Sequence, residues 1–266
     1  MIIASCHLPR VLTGIALLLA LGTALWLSGG TLFGFLLLFS LLGLWEFYAM
    51  FWPSRAELGG RLLGLFLGGG LLTFAWMRPG LVEAFLGIST VVLASFFLFN
   101  WARNDAYRFT RVAVILGGIL YVPMLLLPVF GFSLKEQVFL LFATAASDTA
   151  AYFVGMRFGK HKIWPKVSPK KSVEGSLGGL LACVFVCTGF GLIFGVANLS
   201  SFILLTCLLG IMAQLGDFFE SALKRSRSVK DSGIVLPGHG GVLDRIDSLL
   251  FVIPTYTFAK TFWLFF

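Results

Sequence analysis

Charge is scarce in this chain. Only 12% of its 266 residues are Asp, Glu, Lys or Arg, where an average soluble protein carries about 25%. No polar stretch is long enough to fold a soluble domain of its own, so a single membrane domain, 1–266, is expected. Cysteine is scarce too, with Cys6, Cys183, Cys187 and Cys207, and three of the four lie inside apolar runs, which excludes a disulfide framework. Cys183 and Cys187, four residues apart, read as packing residues rather than as a metal pair. Several motifs are missing as well. Neither G-x-x-x-x-G-K-[ST] nor G-x-G-x-x-G occurs at a strand–helix junction, and neither H-E-x-x-H nor G-x-S-x-G occurs anywhere. The standard nucleotide loops, zincin chemistry and the serine-hydrolase elbow are thereby excluded.

What is abundant is apolar sequence, 58% of the chain. A helix needs about twenty apolar residues to cross a bilayer. Runs of that kind predict nine spans near 11–27, 31–52, 62–77, 81–100, 112–130, 137–157, 176–197, 200–220 and 248–265. The first run is long and lacks a small-x-small cleavage site, so it reads as a retained helix rather than a signal peptide. Pro123, Pro128 and Pro254 are expected to kink their helices. An all-α polytopic fold follows, because backbone groups in lipid must be satisfied internally. The net charge of +8 comes from short basic loops and fits membrane topology better than nucleic acid. With the N-terminus in the cytoplasm, 17 of the 20 Lys and Arg residues fall on the cytoplasmic side, Arg10 and Arg55 among them. The C-terminus then lies outside, and loops 158–175 and 221–247 share the cytoplasmic face. Residues 1–130 read as a helical scaffold and 137–266 as the catalytic half.

Acids inside a membrane are costly and usually functional. Glu83 sits at a predicted outer boundary and reads as exposed. Glu46, in the second span, could either join a site or pair with a basic loop residue. Asp148 lies among small residues in ATAASDTAAYFVG and needs a cation or a polar cavity. Asp217, Glu220, Ser221 and Lys224 fall at i, i+3, i+4 and i+7 and share one helix face. Asp244 and Asp247 repeat the i, i+3 spacing before the last span. Carboxylates brought from separate helices suit magnesium, which keeps waters and takes one or two carboxylates plus substrate phosphates.

The two cytoplasmic loops supply the opposite charge. GKHKIWPKVSPKKSVEGS carries Ser168, Lys170, Lys171 and Ser172 to the start of an apolar helix, where anions bind. Ser172 and Glu174 are two apart, which does not make a capping box. The second loop combines Lys224, Arg225, Lys230, Asp231 and Arg245 with Gly233, Gly238, His239, Gly240 and Gly241. Glycine lets a backbone approach a ligand and donate N–H groups. A polyphosphate or a phospholipid head group is the ligand class expected for such a centre.

Residues 221–247, SALKRSRSVKDSGIVLPGHGGVLDRID, resemble the signature of the phosphatidate cytidylyltransferases, the CDP-diacylglycerol synthases. The pattern runs Ser-x-apolar-Lys-Arg, four residues, Lys-Asp-x-small, two residues, apolar-Pro, one residue, His-Gly-Gly-apolar-x-Asp-Arg-apolar-Asp, and each fixed position is met. SPKKSVEG at 168–175 is similar to a second segment of that family, with Ser172 where threonine is common, and SDTAAYFVG around Asp148 is similar to a third. The first 140 residues match only in general character, apart from an acid in the second span. The resemblance implies that CTP and phosphatidic acid react to CDP-diacylglycerol and pyrophosphate. It also implies a homodimer in a bacterial inner membrane and a metal site at Asp217 and Asp244 for magnesium, with potassium a further candidate.

The roles that follow are expectations. Asp217 and Asp244 hold the metal, while Lys170, Lys171, Lys224, Arg225 and Lys230 neutralise phosphates. Asp148 and Asp247 support the metal or orient lysines. Ser168, Ser172, Asp231, His239, Gly240, Gly241 and Arg245 contact substrate. Two rivals stand beside this reading. A CDP-alcohol phosphotransferase would need Asp-Gly-x-x-Ala-Arg with two further aspartates, which is absent. An ion or lipid transporter would line a route across several spans with acids, whereas here the acids gather near one face.

Overall fold

A computed structural model of the chain describes residues 2–53, 57–104, 106–238 and 240–266, the side chains of residues 2–10 excepted. Arg55, His239 and the side chain of Arg10 therefore lie outside the described residues. Among the described residues the structure is helical, with no strand longer than an isolated bridge. The helices are α1 (Ile2–Leu27), α2 (Gly29–Phe51), α3 (Leu58–Met77), α4 (Val82–Arg103), α5 (Phe109–Ile119), α6 (Leu134–Phe158), α7 (Val173–Phe194), α8 (Leu199–Ser226) and α9 (Leu243–Lys260).

Among the described residues, seven helical segments are long and apolar enough to cross a membrane. They comprise α2, α3, Pro79–Arg103, Phe109–Gly131, α6, α7 and α8. The apolar Val11–Leu27 part of α1 is shorter. The predicted ends of α8 and α9 shift. Helix α8 runs to Ser226 instead of stopping near 220, because its last turns pair their own polar side chains at i, i+4. Ser221 Oγ donates to Asp217 Oδ1 at 3.3 Å, and Lys224 pairs with Glu220. Helix α9 starts at Leu243 rather than near 248, and so includes Asp244 and Asp247 in its first turns. The prolines act unequally. After α5 the chain passes through a π turn at Leu120–Met124, containing Pro123, and a 3-10 turn at Leu127–Gly131, containing Pro128. Helix α9 runs on through Pro254.

The chain divides into two compact units, Met1–Phe130 with Asp231–Leu243, and Gly131–Lys230 with Asp244–Phe266. In the first unit, α3 packs on α2, α4 and α5. Tyr48 of α2 is fully buried and donates its hydroxyl to the Ile115 carbonyl at 2.8 Å. Gly64 of α3 and Gly118 of α5 face its ring, where any Cβ would overlap it. Leu67, Leu71, Leu93, Val112, Ile115 and Ile119 form the apolar core beside it.

In the second unit, α6, α7 and α8 pack together. The α6–α7 seam is lined with small residues, as close helix approach in lipid demands. A Cβ on Gly175 would come within 2.8 Å of the Ala151 carbonyl oxygen, and one on Gly179 within 2.6 Å of the Ser147 oxygen. Cys183 and Cys187 are buried in α7, and Cys183 Sγ lies 3.5 Å from the Thr206 carbonyl of α8, as packing residues should. The start of α6 is pinned by Glu136. Its carboxylate closes a capping box with Ser133, accepts the Tyr256 hydroxyl at 2.7 Å and pairs with Lys260 at 2.6 Å. Glu83, at the start of α4, is exposed.

Candidate active site

The loop from Gly159 to Ser172 joins α6 to α7 and is folded by its own polar groups. Ser172 is the N-cap of α7, with its Oγ accepting the Gly175 amide at 3.2 Å. Ser172 is 2% exposed, and its hydroxyl is walled in by Gly155, Gly159 and Gly175. Glu174 does not reach back to Ser172. It accepts the amides of Lys160 and His161 at 3.0 and 3.2 Å and meets His161 Nδ1 at 2.6 Å. The carboxylate thus ties the two ends of the loop together. Arg225, at the end of α8, donates to the carbonyls of Val167 at 3.3 Å and Val229 at 3.1 Å. Part of its expected phosphate-binding capacity is therefore spent on holding the loop.

Beneath this loop lies a cavity of about 680 Å³. Its walls carry Asp148, Lys162, Ser168, Lys170, Lys171, Ser172, Gln214 and Asp217. The structure thus brings together around one space the α6 acid, the SPKK loop and the α8 acid, from three separate parts of the sequence. Lys171 pairs with Asp217 Oδ2, and its ammonium also lies 4.3 Å from the centre of the Phe218 ring. Gln214 is fixed by a 2.9 Å hydrogen bond from its Nε2 to the Ser176 carbonyl.

A second charged cluster continues from the first. Lys224 lies between Glu220, with which it pairs, and Asp244 Oδ1, at 2.6 Å. Glu220 is fully buried and its Oε1 has no hydrogen-bond partner. Asp247 is 9% exposed and accepts the Ser248 amide at 2.8 Å. Helices α8 and α9 approach closely here, since a Cβ on Gly216 would overlap the Asp247 backbone. Electrostatics connects the two clusters. Asp148 is within reach of Asp217, Lys171 and Arg245, and Asp247 is within reach of Asp217, Asp148 and Lys224.

Five carboxylates (Asp148, Asp217, Glu220, Asp244 and Asp247) thus lie near Lys171, Lys224 and Arg245, with Lys162 and Lys170 also on the cavity wall. That oxygen donor set suits a hard divalent cation. Among the described residues no three Asp, Glu, His or Cys side chains converge as a ready-made metal cage. Magnesium does not require one, because it retains waters and binds substrate phosphates. The two expected ligands, Asp217 and Asp244, each hold a lysine.

Lys230 is exposed at the end of the second unit. Asp231, Gly240 and Gly241 belong to the first unit, where Gly241 packs on Glu46 and Ser232. His239 lies outside the described residues. Sequence reasoning named Glu220 as an intramembrane acid but gave it no place in the site. Its i, i+4 spacing to Lys224 was the available signal. Glu46 was left open between a site role and an ion pair, and the structure adds that it accepts backbone amides of the glycine-rich loop.

Comparison with known proteins shows the family. The sequence model of the cytidylyltransferase family matches residues 8–263. A phosphatidate cytidylyltransferase of Staphylococcus haemolyticus is 34% identical over 252 residues, covering 92% of this chain and 95% of that protein. One from Staphylococcus saprophyticus is 39% identical over 176 residues, 64% of this chain and 67% of that protein. One from Bacillus subtilis is 51% identical over 110 residues, 41% of each chain.

Proposed function

Because the chain belongs to the cytidylyltransferase family, we propose that it is a phosphatidate cytidylyltransferase. In this reading CTP and phosphatidic acid give CDP-diacylglycerol and pyrophosphate. The observation that carries it is the cavity where Ser168, Lys170, Lys171 and Ser172 face Asp148 and Asp217. A nucleoside triphosphate and a lipid phosphate are both anionic, and this is a basic loop set over an acidic, cation-seeking floor. The relatives are named as transferases, and the transporter reading finds no support.

An oxygen of the phosphatidate phosphate attacks the α-phosphorus of CTP, and the bond from that phosphorus to the oxygen bridging to the β-phosphate breaks. Pyrophosphate leaves with that electron pair. The nucleophile is already an anion, so no side chain has to remove a proton, which agrees with a site built of carboxylates and cations. The barrier is repulsion between anions and charge gathering on the leaving group. Lys170, Lys171, Lys224, Arg225, Lys230 and Arg245 offset that charge. Asp148 and Asp247 hold the lysines and the arginine in place by attraction, and Ser168, Ser172, Asp231, His239 and Gly240 complete the contacts to substrate, while Gly241 packs on Glu46.

The family is generally metal-dependent. Asp217 and Asp244 would hold magnesium, with potassium a further candidate. Held there, a divalent ion would supply positive charge to offset that of the triphosphate and the departing pyrophosphate. The protein works as a homodimer in a bacterial inner membrane, with the N-terminus in the cytoplasm and the active site on that face. The acyl chains of phosphatidate enter sideways from the leaflet.

The test is purified protein in mixed micelles with CTP, phosphatidic acid and magnesium. CDP-diacylglycerol and pyrophosphate should form in equal amounts, and a chelator should stop the reaction. No product across a range of detergents and divalent ions would defeat the reading.

A further inference from the structure

The segment Asp231–Leu243 is held from inside by a carboxylate for which the proposed chemistry has no use. Glu46 lies in α2 and is 2% exposed. Its Oε1 accepts the Val242 amide at 3.0 Å. Its Oε2 accepts the Leu243 amide at 2.9 Å and the Ser232 hydroxyl at 3.1 Å. Val242 and Leu243 are themselves fully buried. The first amides of a helix find no partner within it, and their partial positive charge favours an anion. Leu243 opens α9, so Glu46 caps that helix from a position 197 residues earlier in the sequence.

Two glycines make this possible. A Cβ on Gly233 would overlap Glu46 Oε1, and one on Gly241 would overlap Glu46 Oε2 and Ser232 Oγ. At these two positions the glycines give room to a carboxylate of the protein itself. The tip of the segment is shaped separately, by the Leu236 amide donating to the Gly240 carbonyl at 3.0 Å and by positive φ at Gly238 and Gly240. Thr13 of α1 donates to the Pro237 carbonyl at 3.2 Å.

We propose that Glu46 is a positioning residue for the transfer reaction. It grips the backbone amide of the residue immediately before Asp244 and the side chain of the residue immediately after Asp231. Asp244 and Arg245 therefore leave the chain from a fixed helix start, and Lys230 and Asp231 precede a fixed anchor. The argument rests on the function proposed above. A carboxylate that served folding alone would change the amount of folded protein without changing kcat per folded molecule.

Glu46→Gln keeps the size of the side chain but turns an N–H2 group towards an N–H or O–H donor. Folded Glu46→Gln should lose about 10- to 100-fold in kcat, as expected from losing charge-assisted hydrogen bonds. KM for CTP and for phosphatidate should stay within about threefold. Trypsin should cleave after Lys230 faster than in the wild type while the helices remain protected. Gly241→Ala and Ser232→Ala should shift kcat and cleavage the same way, Ser232→Ala least. Wild-type kcat in folded Glu46→Gln overturns the proposal. Should that variant not fold, wild-type kcat in both Gly241→Ala and Ser232→Ala overturns it. If the wild type itself makes no CDP-diacylglycerol, the functional reading has failed; unchanged cleavage at Lys230 in all three variants then sinks the Glu46 role on its own.

Discussion

Lys224 is shared by two acids of the second unit. Its ammonium serves Glu220, which is fully buried, and Asp244. Removing one partner of a buried pair costs about 3–5 kcal/mol, because the other charge is left uncompensated. Lys224→Met should therefore lower the thermal midpoint in detergent as well as abolish turnover. Adding Glu220→Gln should restore much of the midpoint and none of the activity, since the phosphate-facing cation is still missing. Recovery of activity in the double variant would mean that Lys224 acts only through folding. Asp217→Asn is the cleaner test of the floor of the cavity. Asp217 is partly exposed, pairs with Lys171 and accepts the Ser221 hydroxyl, a bond that an asparagine oxygen can also accept. The variant should fold normally, with turnover lower by about 100-fold or more, the scale of losing one preorganised electrostatic contact.

At the scale of elements, the α6–α7 pair sets the shape of the cavity. Both helices contribute to its lining, and their spacing is limited by Gly175 and Gly179. Gly179→Val would press a branched side chain on the Ser147 carbonyl. Overpacking of this kind typically costs about 1–3 kcal/mol, and thermal denaturation should show it. Ser172→Ala removes the N-cap of α7 and should cost about 1 kcal/mol, with Ser172→Thr retaining most of it. The helices themselves were legible from runs of apolar residues, because length and hydropathy decide whether a segment crosses lipid. Their polar ends were not. Helix α8 continues past its apolar stretch on i, i+4 side-chain pairs, and α9 begins early on amides accepted by Glu46. Hydropathy carries no signal for either. Ser172 was readable as a phosphate-binding hydroxyl, yet its cap to Gly175 depends on an Oγ–amide distance that spacing alone does not provide.

At the scale of the whole molecule, charge asymmetry and the chemistry point the same way. The loop holding Lys160, Lys162, Lys166, Lys170 and Lys171 should face the cytoplasm, where CTP is made, and Lys135 and Lys260 should face outward. In a chain stripped of its four native cysteines, Lys166→Cys should react with an impermeant maleimide only after the membrane is opened. Lys135→Cys should react in intact spheroplasts. The reverse pattern would invert the topology. The sequence signature at 221–247 pointed to the reaction because its polar positions are densely constrained. It did not show that the segment is divided between the two compact units, or that Glu46, Gly233 and Gly241 form one packed group. Long-range packing of that kind is written in three dimensions and leaves only scattered glycines and one buried acid in the sequence.

The central claim is nucleotidyl transfer at the α-phosphorus of CTP, and phosphorus labelling tests it most directly. Purified protein is given phosphatidic acid with CTP labelled at either the α- or the γ-phosphate, and the lipid and aqueous phases are then counted. The account predicts α-label in the lipid, γ-label only in pyrophosphate, and neither transfer with Asp217→Asn. Label from the γ-position in the lipid, or no label in the lipid from either, would contradict it.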